Sequence, residues 1–361
     1  MEIYGKDACA ACYFRTIADF PNRKAILQLT ERCNLHCVHC FVSAGAEGHE
    51  MDFGKIKKIL LPKLVKGRFT KVTLTGGEPF VYDRLLDVVK LLRENGIEVA
   101  ICTNGTLVKD DFVKEVKSLE KVHFNVSLDG FSDDSYHKFR GTFDPREFEF
   151  VKARIESLGE EGLLKGILVT PNTFSSVEEY VSLCEFARKC GAEYVLMNPL
   201  SQFGRGQRSA AKYAFSKEKM AELRKKTERF SDKSMEMVYI RFPNFSKKPL
   251  SACMEGFLPY VFTNGKVSVC PYLSFAAKDG TSIFKEDDFI AGDAFDEKTD
   301  LADSLDRYKL PFKKEKACAG CRITNCKRGC FAARIARGED VFGSDSELCP
   351  LGLGEISNGS R

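Results

Sequence analysis

Six short apolar runs punctuate the first two hundred residues: "AILQL" (25–29), "KVTLTG" (71–76), "EVAICTNG" (98–105), "VHFNVSLDG" (122–130), "GILVT" (166–170) and "YVLMNPL" (194–200). Each is nearly continuous and runs into Gly, Asn, Asp, Thr or Pro, the pattern of a strand buried on both faces. Helical patterns separate them. In "DRLLDVVKLLRENG", Leu85, Val88, Val89 and Leu92 form one stripe, with Asp83 as N-cap and Gly96 as the stop. "SVEEYVSLCEFARKCG" repeats the design with Tyr180, Cys184 and Ala187 on one face and Gly191 as the stop. Strands alternating with helices predict a parallel sheet clad in helices. Six units, where a closed barrel of this kind has eight, predict a partial (β/α)6 TIM-type barrel over residues 25–205 with a wide lateral opening.

The remaining chain divides around that α/β unit. Residues 1–24 read as an N-terminal cover segment. Residues 206–250 turn polar and helical ("SKEKMAELRKKTERF") and read as a connector. Residues 251–361 have only short apolar stretches but seven cysteines, which predicts a cysteine-rich C-terminal domain held together by metal.

Composition narrows the class. The 361-residue chain is 43% hydrophobic and 29% charged, as ordinary globular proteins are. Its net charge of +4 comes from 55 basic and 51 acidic residues that interleave, so no stripe for nucleic acid stands out. No apolar run approaches the roughly 18–20 residues of a membrane span, and the N-terminus is not a secretory signal. A cytoplasmic enzyme is the expectation, binding neither nucleic acid nor membrane.

Fifteen cysteines change the picture. In a reducing compartment, clustered cysteines point to metal rather than disulfides. "LTERCNLHCVHCF" places Cys33, Cys37 and Cys40 at C-x3-C-x2-C spacing just after the first predicted strand. A structural zinc takes four protein ligands, usually as two close pairs. Three thiolates suit a [4Fe–4S] cluster with one iron left free. Cys102, Cys184 and Cys190 fall inside regular elements and read as small buried hydrophobes.

With "GGEP" at 76–79 after the second strand, the C-x3-C-x2-C motif resembles the radical S-adenosylmethionine (SAM) superfamily, over roughly residues 25–205. The resemblance implies a cluster whose free iron is chelated by the SAM amino and carboxylate groups. One electron then cleaves the sulfonium, and the resulting 5′-deoxyadenosyl radical abstracts a substrate hydrogen. Carried over by residue, Gly76, Gly77, Glu78 and Pro79 lie where the family holds the SAM amino group. Thr103 and Asn104 of "TNGT" end the third strand. Ser127 and Asp129 of "SLDG" lie where family members contact the ribose. Arg140 matches an arginine near the SAM carboxylate. His39 stands where an aromatic residue commonly packs by the adenine, and its planar ring is expected to keep that role.

The C-terminal cysteines resemble the seven-cysteine SPASM extension. Cys253, Gly265 and Cys270 follow C-x11-G-x4-C, and Cys318, Cys321, Cys326 and Cys330 follow C-x2-C-x4-C-x3-C, with Cys349 alone beyond. The third gap is four residues where five is usual. The resemblance implies two auxiliary [4Fe–4S] clusters with crossed ligation: Cys318, Cys321, Cys326 and Cys349 on the outer one, Cys253, Cys270 and Cys330 on the inner. The inner cluster then has three ligands. Its fourth iron is either open to substrate or closed by a remote residue, with Cys9 and Cys12 as the candidates. The open site is expected, because an N-terminal arm reaching so far is the costlier assumption.

Resemblance to this class implies a peptide or protein substrate, modified by oxidation, crosslinking or epimerisation. Only about 24 residues precede the first strand, so a separate leader-binding protein or a direct protein substrate is the expected arrangement. The alternative is a dehydrogenase or epimerase acting on a carbohydrate or cofactor precursor. Either needs an electron donor such as flavodoxin or ferredoxin. No side chain stands out as acid or base.

Overall fold

The computed structural model describes residues 7–13, 18–278, 282–323 and 325–352. The six apolar runs become six adjacent parallel strands: β1 (Arg23–Gln28), β2 (Phe69–Thr75), β3 (Glu98–Thr103), β4 (Val122–Ser127), β5 (Leu164–Val169) and β6 (Tyr194–Met197). Burial on both faces explains their near-continuous apolarity: Leu27, Leu74, Val99, Ile101, Phe124, Val126, Ile167 and Val195 lie in one core.

The sheet is wider than the apolar runs announce. In the stretch read as a helical connector, helices Gly206–Tyr213 and Lys217–Thr227 are followed by a seventh parallel strand, β7 (Glu236–Tyr239), paired with β6. On the other edge β8 (Tyr260–Val261) pairs parallel to β1. Antiparallel β9 (Lys266–Ser268) and β10 (Ile290–Asp293) extend it. The order is β10-β9-β8-β1-β2-β3-β4-β5-β6-β7, and no pairing joins β10 to β7 among the described residues. The barrel stays open between those edges.

The cysteine-rich region is also less poor in core than its sequence suggests. Val267, Val269, Leu273, Phe289, Leu301 and Phe331 join the same apolar core as the parallel strands. Their runs are too short for a periodic signal, so packing rather than pattern places them.

The helices follow their stripes. Leu85–Glu94 buries Leu85, Val88, Val89 and Leu92, and Gly96 takes φ +75° beyond its end. Its N-cap is Arg84 rather than Asp83, and Arg84 makes no side-chain capping bond. Val177–Lys189 buries Tyr180, Cys184 and Ala187 and is closed by a Ser176–Glu179 capping box.

Candidate functional site

The loop after β1 carries Cys33, Cys37 and Cys40 across the ends of the parallel strands. Its path is set by backbone pairing with the loop after β2: Gly77 N donates to Thr30 O (2.8 Å) and Glu78 N to Arg32 O (2.9 Å). A Cβ on Gly76 would lie 2.6 Å from Thr30 O, and one on Gly77 2.3 Å from Arg32 O. These glycines are therefore required where two loops touch, whatever else the motif binds. Arg205 holds the far side of the loop, donating from Nε to Cys37 O (2.7 Å) and from Nη1 to Ala44 O (2.6 Å). Gly141 ends the helix Asp133–Arg140 with φ +67°, and a Cβ there would meet His36 O at 2.5 Å.

The three thiols face one cavity of about 290 Å³. Leu35 N and Ala44 N donate to Cys33 Sγ and Cys40 Sγ, each at 3.4 Å. Such bonds to sulfur are among the levers that set iron–sulfur potentials. Gly76, Gly77, Glu78, His39, Thr103, Asn104, Ser127, Asp129 and Arg140 all line this cavity. Pro79 does not; it is buried and opens the short helical turn Pro79–Val81. Cys102, read as a buried hydrophobe, instead lines the wall, while Cys184 and Cys190 are buried in the core as expected.

Glu78 is 1% exposed and already well supplied with donors. It accepts from Thr103 Oγ1 (2.7 Å), Asn104 N (2.7 Å) and Phe80 N (3.1 Å). Burial pushes its pKa up to about 7, against the pull of those donors and of Arg140. Its carboxylate thus ties the "GGEP" turn to the "TNGT" turn. That work is separate from the amine contact carried over from the family, and a fourth donor would still find a lone pair.

Arg140 sits with Nη2 2.8 Å from Asp129 Oδ2 and Nη1 4.0 Å from Cys37 Sγ. Asp129 Oδ1 meanwhile accepts from Thr170 N (2.6 Å). Six buried polar atoms on the lining residues have no hydrogen-bond partner: Arg140 Nε and Nη2, Asp129 Oδ2, His39 Nδ1, Asn198 Oδ1 and Tyr260 Oη. The Arg140–Asp129 approach is an ion pair by distance but is too poorly aligned for a hydrogen bond. Buried unsatisfied groups are costly, and their convergence marks a site built for a polar ligand. A zwitterionic nucleoside beside an iron–sulfur cluster fits this donor and acceptor set. Asn198, Arg205 and Tyr260 escaped the sequence reading. Tyr260 lies within the C-x11-G spacer and the other two in an irregular stretch after β6, where residue type alone marks nothing.

Two further groups of thiols lie away from this cavity. Cys318, Cys321, Cys326 and Cys349 share a second cavity of about 120 Å³ with Arg328, Arg334 and Asp345. Cys253, Cys270 and Cys330 are drawn together elsewhere in the region, and Cys12, one of the two candidates for a remote ligand, lies near them. Burial and mutual repulsion push the Cys253 and Cys270 thiols well above their usual pKa. All fifteen cysteines are free of disulfides. Among the described residues, no three ligand-type side chains converge on one point as a lone ion requires. A four-iron cluster asks for something else, because each thiolate takes a different iron and the sulfurs stand around a volume.

A three-cysteine loop on a partial barrel thus faces a polar-lined cavity. Residues 27–195 match the radical SAM superfamily, and the chain carries a domain of that superfamily. Fe-coproporphyrin III synthase of Methanosarcina barkeri is 30% identical over 41% of this chain and 36% of its own length. The antilisterial bacteriocin subtilosin biosynthesis protein AlbA of Bacillus subtilis is 28% identical over 51% of this chain and 40% of its own. The chain thus spans well under half the length of either relative. Streptococcus suis SuiB bound to S-adenosylmethionine shares the fold at a TM-score of 0.67, with 18% identity, over 91% of this chain and 77% of SuiB. No described helix is long and apolar enough to cross a membrane.

Proposed function

We propose that this radical SAM enzyme acts on a peptide or protein, abstracting hydrogen to bring about oxidation, crosslinking or epimerisation. The observation that carries the site assignment is that three thiols and five residues bearing six buried polar atoms without hydrogen bonds (Arg140, Asp129, His39, Asn198 and Tyr260) line one cavity. Cys33, Cys37 and Cys40 would hold the [4Fe–4S] cluster, which with SAM supplies one-electron cleavage and a hydrogen-abstracting radical. Arg140 and Asp129 offer complementary charge to an α-amino acid group, and His39 offers a flat ring. Asn198 and Tyr260 offer further polar contacts. Ile26, Val42, Leu168, Val169 and Leu196 give the cavity an apolar wall that keeps water from a reactive species. Cys318, Cys321, Cys326 and Cys349 would hold an outer auxiliary cluster, and Cys253, Cys270 and Cys330 belong to an inner one, as in a SPASM extension. A flavodoxin- or ferredoxin-type donor supplies the electron.

Three things support a peptide. The sheet is not closed by pairing between β7 and β10 among the described residues, as entry of an extended chain from the side requires. AlbA is named for bacteriocin biosynthesis. SuiB, whose fold covers nine-tenths of this chain, has been solved bound to its precursor peptide SuiA. The similarity to a coproporphyrin enzyme supports a second reading, a small-molecule substrate. Peptide and small-molecule fractions from cells grown in heavy water separate the two. With SAM and reductant, deuterium should enter 5′-deoxyadenosine from the peptide fraction; transfer from the small-molecule fraction alone contradicts the proposal.

A further inference from the structure

The inner group of thiols is one short of a closed set, and the N-terminal segment runs directly past it. Cys9 forms a parallel bridge with Leu250, donating from its N to Pro249 O (2.9 Å) and accepting from Ser251 N (3.0 Å). Ala11 N then donates to Ser251 Oγ (3.0 Å). Cys12 follows at once, where the chain bends. The neighbours of Cys12 fix its position against two of the inner thiols. Ala11 Cβ lies 3.4 Å from where a Cβ on Gly329 would stand, immediately before Cys330. The Tyr13 ring packs on Tyr272, two residues after Cys270, with centroids 4.4 Å apart. Cys12 itself is 4% exposed.

Cys9 packs with Ala11, Leu250, Leu348 and Cys326, on the side of the outer quartet. That quartet already has four thiols. The segment is held from its other side by Arg241, whose N donates to Ala10 O (2.7 Å) and whose Nη1 donates to Ala11 O (3.4 Å). Arg241 is itself buried against Asp345.

We infer that Cys12 is the fourth protein ligand of the inner auxiliary cluster, closing it with Cys253, Cys270 and Cys330. The inference rests on the auxiliary-cluster reading above and reverses the open-site expectation drawn from the sequence. Four thiols gather here with no disulfide between them, Cys12, Cys270 and Cys330 buried and Cys253 partly so. A cluster would take all four as thiolates, because a metal deprotonates the thiol it binds. A cluster closed by four protein thiolates leaves no iron for a substrate sulfur or carboxylate. Its role in this chain is then outer-sphere electron transfer rather than substrate ligation.

The test uses the 361-residue chain with Cys33, Cys37 and Cys40 replaced by alanine, reconstituted anaerobically, so that only auxiliary clusters contribute. This parent should hold about eight irons in two four-iron clusters. Adding Cys12→Ala should remove between one and four of those irons, the lower figure with a three-iron electron paramagnetic resonance signal absent from the parent. Cys12→Ser, which keeps an oxygen ligand and the side-chain volume, should retain the iron but shift the reduced-state g-values. Cys9→Ala should leave both iron and spectrum as in the parent. Eight irons and a parental spectrum in both Cys12 variants would overturn the ligation while leaving the auxiliary clusters standing. A parent without auxiliary iron would overturn the cluster reading itself.

Discussion

The imidazole of His39 lies flat on the ring of Phe139, with centroids 4.2 Å apart and planes 2° from parallel. Its Nε2 is 3.4 Å from Asp129 Oδ2, and its Nδ1 has no hydrogen-bond partner. Burial pushes its pKa down to about 4, against the pull of Asp129 and with help from Arg140 and Arg205. At neutral pH the ring is therefore an uncharged plate on the wall of the cavity. The family resemblance gives His39 the place of an aromatic residue packed by the adenine, which we propose it keeps, with Phe139 as a rigid backing.

If the plate carries the adenine contact, His39→Ala should weaken SAM binding by about 1 kcal/mol, or roughly fivefold. His39→Phe keeps the plate and should stay within about twofold of the parent. Equilibrium dialysis with labelled SAM reads both. A His39→Phe variant as weak as the alanine would move the role from the ring to its Nδ1.

Gly77→Ala should cost the chain its first cluster. The added Cβ would stand 2.3 Å from Arg32 O, backbone that cannot swing aside, so the cysteine loop must shift. The expected outcome is loss of about four irons after reconstitution. Gly45→Ala, with nothing within 4 Å of its Cβ, is the control and should keep them.

What could be read from the chain divides along physical lines. Strands β1 to β6 were legible because burial on both faces makes a strand apolar throughout, and the stripe from Leu85 to Leu92 was legible because one face of that helix is buried. Strands β7 to β10 were not: they are two to four residues long, and β7, β9 and β10 lack the unbroken apolarity that marks the four-residue β6. The spacing of Cys33, Cys37 and Cys40 announced a site, and "GGEP" located its neighbour. The spacing could not say that Gly77 serves loop packing or that Glu78 is a strut between turns. The bond from Ala11 N to Ser251 Oγ joins residues 240 apart in the chain, and no local pattern encodes such a contact.

Arg241 should be a strong determinant of stability. Its side chain is 1% exposed and lies 3.1 Å from Asp345 and 2.7 Å from Glu347. Removing one partner of a buried pair costs about 3–5 kcal/mol where the other charge is stranded, and here Arg337, 3.0 Å from Asp345 and 2.8 Å from Glu347, limits that cost. Arg241→Ala should lower the denaturant midpoint of the reconstituted chain, and Arg241→Ala with Arg337→Ala should lower it much further. A change below about 1 kcal/mol in the double variant, the range of exposed pairs, would mean that water reaches Asp345.

Iron stoichiometry tests the division of the cysteines. Three four-iron clusters give about 12 irons per chain, and replacing Cys33, Cys37 and Cys40 together by alanine should leave roughly two-thirds of them. Replacing Cys318, Cys321, Cys326 and Cys349 together should likewise remove about a third. Protein that reconstitutes with zinc and only trace sulfide would contradict every cluster assignment at once.

The central claim is that the three thiols after β1 hold the cluster from which SAM receives its electron. Anaerobic incubation with SAM and a low-potential reductant, followed by chromatography of the nucleoside products, tests it most directly. The reconstituted chain should release 5′-deoxyadenosine slowly even without its substrate, and Cys37→Ala should release none. Undiminished 5′-deoxyadenosine from the Cys37→Ala variant would place the SAM chemistry elsewhere in the molecule and contradict the account.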